Sequence, residues 1–229
     1  MNVFVTGANR GLGLEFVKQY AEEGATVYAC CRDPGASKAL RRVSDEAGGK
    51  VSLHCLDVTN DKAVAMFSES FGDEPIDVLI NNAGIYGPEN QSADNMDFDV
   101  WAKTFAVNTM APLRVAQAFR RNLKKGKAKK LVTITSAMGC TAQHGGDSFA
   151  YRSSKAAVNN VMHGLALAWK NDGIIVSLIH PGWVKTDMGG KNAALEPHDS
   201  IEGMRKVIAK LDTADSGKFL DYTGRELPW

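Results

Sequence analysis

Val3-Phe4-Val5-Thr6-Gly7-Ala8-Asn9-Arg10-Gly11-Leu12-Gly13 joins a short apolar run to three closely spaced glycines. Leu12, Phe16, Val17 and Tyr20 then recur at helical spacing until Gly24. A strand running through a glycine turn into a helix is the setting that a dinucleotide-binding turn requires. In that setting Gly7 permits the tight turn, Gly11 lets the backbone approach a pyrophosphate, and Gly13 allows close helix–strand contact. The N–H groups at the start of the helix would then face the phosphates.

The same alternation continues along the chain. Val27-Tyr28-Ala29, Val51 to Leu56, Val78-Leu79-Ile80, Leu131 to Ile134 and Ile174-Ile175-Val176 read as apolar strands. Helical spacing occupies about 61–71, 98–123 and 149–170 between them. Continuous apolar strands separated by helices predict a parallel sheet covered on both faces. With no Pro/Gly/Ser-rich linker in the sequence, residues 1–229 read as one doubly wound α/β domain, with a short substrate segment at about 188–212.

Composition narrows the function. The 229 residues carry 27 Lys+Arg against 26 Asp+Glu, a net charge of +1, which argues against a general nucleic-acid binder. Lys124, Lys125, Lys127, Lys129 and Lys130 form a basic run that reads as a solvated loop rather than a nucleic-acid patch. Cys30, Cys31, Cys55 and Cys140 make no CxxC pair and no metal-ligand spacing, so no metal is expected. No signal peptide or long apolar span is visible, and a cytoplasmic location without membrane attachment is the expectation.

Further motifs carry chemistry. Tyr151-Arg152-Ser153-Ser154-Lys155 puts a phenol and an ammonium on one helical face, and a nearby cation favours the ionised phenol. Ser136 ends the fifth strand, fifteen residues before Tyr151, and Asn108 stands in Val107-Asn108-Thr109. Arg32 lies nineteen residues beyond Gly13, at the end of the second strand. A guanidinium there suits a 2′-phosphate, whereas a carboxylate would select the free 2′-hydroxyl. Arg10 could add a second cation, while Asp33 could cap the following turn or pair with Arg32. Asp57, taken singly, could equally be a turn residue.

The spacing G-x-x-x-G-x-G after Thr6, with Asn81-Asn82-Ala83-Gly84, Ser136 and Tyr151-x-x-x-Lys155, resembles the short-chain dehydrogenase/reductase family. The resemblance extends through most of the chain. It implies a Rossmann-type seven-stranded parallel sheet with helices on both faces. It also implies catalytic Asn108, Ser136, Tyr151 and Lys155. Contacts to NADP(H) would come from Thr6, Gly7, Asn9, Arg10, Gly11, Leu12, Gly13, Arg32, Asp57, Val58, Asn82, Ala83 and Gly84. Tyr151, Lys155, Pro181, Val184 and Thr186 would complete the cofactor contacts. Tyr151 would donate the proton, Ser136 would bind the carbonyl oxygen, and Lys155 would hold the ribose and depress the tyrosine pKa. Asn108 would position a water leading to Lys155.

Thr186-Asp187-Met188-Gly189-Gly190 and the tail from Gly217 resemble the carbonyl reductase branch that includes the sniffer and C-factor proteins. Family geometry would gather Ile85, Tyr86, Met138, Cys140, Phe149, Trp183 and Met188 at a small hydrophobic carbonyl substrate. His180 reads as a strand-end residue, and His144 as part of a glycine-rich loop. The resemblance implies a homodimer or homotetramer. Reduction of 3-oxoacyl groups, oxidation of secondary alcohols, and an NADP-binding signalling role remain open at this point.

Overall fold

The computed structural model describes residues 1–229. Seven strands form one sheet in the order β3-β2-β1-β4-β5-β6-β7, every neighbouring pair parallel. They are β1 (Asn2–Thr6), β2 (Thr26–Cys31), β3 (Val51–Cys55), β4 (Val78–Asn81), β5 (Lys130–Ile134), β6 (Ile175–His180) and β7 (Phe219–Asp221). Strand order reverses between β1 and β4, so the crevice for a ligand opens at the carboxyl ends of these two strands.

Alternating side chains divide the core between the two faces of the sheet. Val3, Val5, Val78, Ile80, Val132 and Ile179 meet α1 (Gly11–Glu22), α2 (Lys38–Glu46) and α8 (Pro197–Lys210) on one side. Phe4, Leu79, Leu131, Val176 and Leu178 meet α3 (Asp61–Phe71), α5 (Ala111–Ala118), α6 (Arg120–Lys125) and α7 (Phe149–Ala168) on the other. No helix is long and apolar enough to cross a membrane.

Three features differ from the sequence expectation. The single helix expected over 98–123 is broken into α4 (Phe98–Phe105), a wide π turn (Ala106–Met110), α5 and α6. Pro112 supplies the reason: it has no N–H to donate, and its ring would press on the carbonyl of residue 108 in a regular helix. The second difference is α2, a helix not assigned from the sequence: Leu40 is fully buried, and Val43 and Ala47 on the same face pack against the same core cluster.

The third concerns 188–212, expected to be the substrate segment. Most of it is α8, which buries Ile201, Met204 and Ile208 in the core. Gln19 Nε2 donates to His198 O at 3.0 Å, and the Arg205 guanidinium stacks on the Tyr20 ring and pairs with Glu23. Only the stretch between β6 and α8 remains to border a substrate.

Two lysines of the basic run are paired at the surface, Lys124 with Asp172 and Lys125 with Asp73. Lys130 is instead buried, and its ammonium donates to Ile208 O (2.6 Å) and Ala209 O (2.9 Å). A cation there satisfies the carbonyls that the last turn of α8 leaves open.

Phe119 joins the helical layer to the sheet, its ring 4.6 Å from Phe4 and 5.5 Å from Phe71. Phe119→Ala should lower the unfolding free energy by about 3–5 kcal/mol in urea titrations. A loss below about 1 kcal/mol would show that the aromatic cluster does not hold α5 and α6 to the sheet.

Candidate active site

The glycine turn is built from what it excludes. Gly7 has φ +66°, and a Cβ on it would stand 2.8 Å from Ala83 Cα. A Cβ on Gly13 would stand 2.1 Å from Gly7 O and 2.5 Å from Asn82 Nδ2. Asn82 Nδ2 donates to Thr6 O (2.9 Å) and Gly7 O (3.1 Å), while Thr6 Oγ1 accepts from Asn82 N (3.1 Å) and Ala83 N (3.2 Å). Thr6 is buried, so it ties β1 to β4 and supports the cleft from below.

No side chain caps the N-terminus of α1, and its first turn contains no acidic residue. These open N–H groups and the bare backbone of Gly7, Gly11 and Gly13 fit a pyrophosphate. Leu12 packs half-buried against the core, and Asn9 O accepts from Ser37 Oγ at 3.0 Å. Across the cleft a Cβ on Gly11 would stand 3.6 Å from Thr186 Cγ2, which brings the loop after β6 against the glycine turn.

At the far end of the cleft Arg32 is exposed beside Asp57. Asp33 Oδ1 accepts from Ala36 N at 2.9 Å, which assigns it to the turn and not to Arg32. Asp57 Oδ1 accepts from Thr59 N (2.9 Å) and Thr59 Oγ1 (2.7 Å); these bonds hold its carboxyl below its ordinary pKa. It therefore closes a turn. Val58 is buried beside it, and its carbonyl accepts from Arg114 Nη1 at 3.0 Å. Arg10, expected at the 2′-phosphate, instead pairs with Asp187 at 2.6 Å across the cleft. Both partners are exposed, so water screens the pair and it is easily released.

Asn108, Ser136, Tyr151 and Lys155 converge on this cleft. The π turn carries Asn108 inward, where Nδ2 donates to Ile85 O (2.8 Å) and Ser154 Oγ (3.0 Å) and Oδ1 accepts from Ile85 N (2.9 Å). Ser154 Oγ in turn donates to Tyr151 O at 2.7 Å. Lys155 Nζ donates to Ile134 O at 2.9 Å and sits 5.7 Å from the centre of the Tyr151 ring. Gly84 keeps the space above this ammonium open, because a Cβ there would lie 3.8 Å from Nζ. Ser136 Oγ accepts from Met138 N at 3.1 Å and lies near enough to the Tyr151 hydroxyl to lower its pKa.

Burial governs the acid–base properties. It lowers the Lys155 pKa to about 8 and raises that of Tyr151 to about 12, the nearby Ser136 offsetting part of the latter. The expected depression of the tyrosine by Lys155 is thus outweighed here by desolvation, since the ammonium lies beyond hydrogen-bond distance and is itself destabilised.

The loop after β6 completes the wall. Ser200 Oγ donates to Pro181 O (2.6 Å), Val184 is buried, and Gly189 N donates to Thr186 Oγ1 (3.1 Å). Trp183 and Met188 remain exposed, Trp183 being held by its indole N–H on Gly189 O at 2.8 Å. The Tyr86 ring lies 5.0 Å from the Tyr151 ring. Cys140, expected at the substrate, is buried instead and donates to Trp229 O at 3.2 Å, because the tail covers it. His180 is largely buried and its pKa falls to about 4, so it stays neutral and uncharged at the strand end. His144 is exposed, with Nδ1 accepting from Gly146 N at 2.9 Å.

The sequence reading missed Gln91. Ser148 precedes α7 in the left-handed conformation (φ 54°) and makes no cap bond. Gln91 caps the helix from another loop: its backbone O accepts from Phe149 N (3.3 Å) and Oε1 from Tyr151 N (3.0 Å). Its Nε2 donates to Pro88 O at 2.9 Å. Only the three-dimensional fold brings residue 91 to α7, so no local pattern signals it.

The short chain dehydrogenase family model matches residues 1–196. The chain belongs to the short-chain dehydrogenase family. The C-signal protein of Myxococcus xanthus is 43% identical over 156 residues, covering 68% of this chain and 93% of that protein. Among solved structures, NADPH-bound carbonyl reductase from chicken fatty liver superposes with a TM-score of 0.92 at 33% identity, covering 100% of this chain and 98% of that one. The D. melanogaster carbonyl reductase Sniffer gives 0.93 at 29% identity, with coverage of 100% and 99%. These likenesses fall in the carbonyl reductase branch to which the sequence motifs pointed.

Gln91→Leu leaves the Tyr151 N–H without its acceptor, a loss of the size that lowers kcat by about tenfold. NADPH affinity should stay within about twofold, because Gln91 does not border the cofactor cleft. An unchanged kcat would remove Gln91 as a positioning residue.

Proposed function

We propose that this oxidoreductase reduces small apolar aldehydes and ketones, using NADPH. The observation that carries this reading is the buried Asn108–Ser154–Tyr151 hydrogen-bond chain beside Lys155 and Ser136, at the mouth of a glycine-lined dinucleotide cleft. Arg32 at the end of β2 supplies the cation that a 2′-phosphate needs, and the NADPH-bound neighbour supports the same cofactor.

NADPH, when bound, supplies the hydride for the carbonyl carbon. Ser136 donates a hydrogen bond to the carbonyl oxygen as negative charge grows there. Tyr151 gives its proton to that oxygen. A pKa of about 12 keeps the phenol protonated at neutral pH, and an alkoxide is a stronger base than a phenolate, so donation runs downhill. Alcohol oxidation would instead need the phenolate as base, a form that the same raised pKa leaves scarce near pH 7. Lys155 would hold the ribose hydroxyls, and its positive charge stabilises the negative charge that forms on the Tyr151 oxygen as the proton leaves. Asn108 fixes the turn below, through Ile85 and Ser154.

The acceptor side is apolar and open: Tyr86 beside Tyr151 is exposed, as are Trp183 and Met188 on the loop after β6. None of these side chains recognises a carboxylate or phosphate, which favours a neutral substrate over a carrier-bound acyl group. A purely signalling protein would bind a dinucleotide without a buried ammonium and phenol, both of which carry a desolvation cost.

Steady-state NADPH consumption across a panel of carbonyl compounds tests the reading. The wild type should turn over apolar aldehydes or ketones. Tyr151→Phe should lower kcat by at least about a hundredfold with NADPH affinity retained. Tight NADPH binding without turnover of any carbonyl would favour the signalling role instead.

A further inference from the structure

Cys31 and Cys55 are the last residues of β2 and β3, and they stand directly opposite each other in the parallel pairing. They also share a face. Val51 and Cys31 belong to the same core cluster, Leu53 packs against it, and Cys55 is the next residue on that side of β3. Adjacent strands lie about 4.8 Å apart, within the range of about 4.4–6.8 Å that a disulfide spans between Cα atoms. The other two cysteines are out of reach: Cys30 enters the opposite core cluster, and Cys140 is buried under the tail.

The two thiols differ in access. Cys55 is exposed, and its Sγ–H donates to Arg32 O at 3.0 Å. Cys31 is 4% exposed, and burial holds its thiol protonated. The pair therefore combines an outer thiol open to a solvent oxidant with an inner thiol placed to resolve it. Arg32 follows Cys31 directly, and Asp57 lies two residues beyond Cys55.

We propose that Cys55 and Cys31 form an oxidation site, where a peroxide closes a cross-strand disulfide that disables the 2′-phosphate end of the cofactor cleft. The Cys55 thiolate attacks a peroxide oxygen; the O–O bond breaks, and the departing hydroxide takes a proton to leave as water. The resulting Cys55 sulfenic acid is attacked by Cys31; the S–S bond forms, the S–O bond breaks, and a second water leaves with the Cys31 proton. Two thiols are oxidised and one hydrogen peroxide is reduced to two waters. The product lacks the S–H that satisfied Arg32 O, so the backbone of Arg32 loses the bond that held it against β3. The functional consequence rests on the reading of Arg32 as the 2′-phosphate ligand.

Treatment of the full chain with hydrogen peroxide, followed by peptide mass mapping and fluorescence titration with NADPH and NADH, tests this. The expected product has lost two hydrogens, links the Cys31 and Cys55 peptides, and reverts with dithiothreitol. The NADPH Kd should rise by about tenfold or more, and the NADH Kd by less than about threefold. Cys55→Ser should bind NADPH normally and keep that affinity after peroxide. Oxidation of Cys55 without linkage to Cys31 would overturn the proposal. So would a disulfide that leaves NADPH affinity unchanged. Equal affinity of the untreated protein for NADPH and NADH would instead refute the cofactor reading, while the mass map still decides whether the bond forms.

Discussion

Everything in the cleft depends on how closely β1 and β4 approach each other where the strand order reverses. Thr6 Oγ1 accepts the N–H groups of Asn82 and Ala83, and the Asn82 amide holds the carbonyls of Thr6 and Gly7. That closeness leaves no room for a side chain at Gly7 or Gly13. The bare backbone that results is what a pyrophosphate can lie against, and it aims the open end of α1 at the same spot. A single larger residue at Gly13 would push α1 off the sheet and fill the cleft at once.

Depth from this junction sets the chemistry. Tyr151 and Lys155 are themselves buried, so their protonation is governed by desolvation and by a few hydrogen bonds rather than by long-range charge. Lys155 keeps its charge near neutrality only because Ile134 O receives it and its pKa still lies at about 8. At the adenine end the situation is reversed. Arg32 is exposed there, and the Arg10–Asp187 pair that crosses the cleft is exposed and screened as well. The cleft thus joins a buried, hydrogen-bonded end to an exposed, charged end, and the overall charge balance of the chain conceals both.

Much of this was legible in the sequence because it is local. Glycine spacing, Tyr151 four residues before Lys155, and apolar strands between amphipathic helices each follow from backbone geometry over a few residues. What was not legible is mostly non-local. Gln91 reaches α7 across 60 positions, and the tail reaches Cys140 across 89. The pKa of Tyr151 depends on how deeply the assembled fold buries it. Two features left a signal that was misread. Pro112 marks the wide turn that presents Asn108, and Ile201, Met204 and Ile208 after Pro197 have the spacing of the core-facing helix α8. A third, the spacing of Leu40, Val43 and Ala47 along the otherwise polar α2, was passed over.

The central claim is that a protonated Tyr151 and a charged Lys155 act together in carbonyl reduction. The pH dependence of kcat/KM for NADPH-dependent reduction tests it most directly. Lys155 loses its charge as pH rises through about 8, whereas Tyr151 stays protonated to about 12. The rate should therefore be level from about pH 6 to 7 and fall above about 8. A rate that climbs steadily between pH 7 and 10 would contradict the account, because it would mean that the working form has lost a proton the mechanism requires.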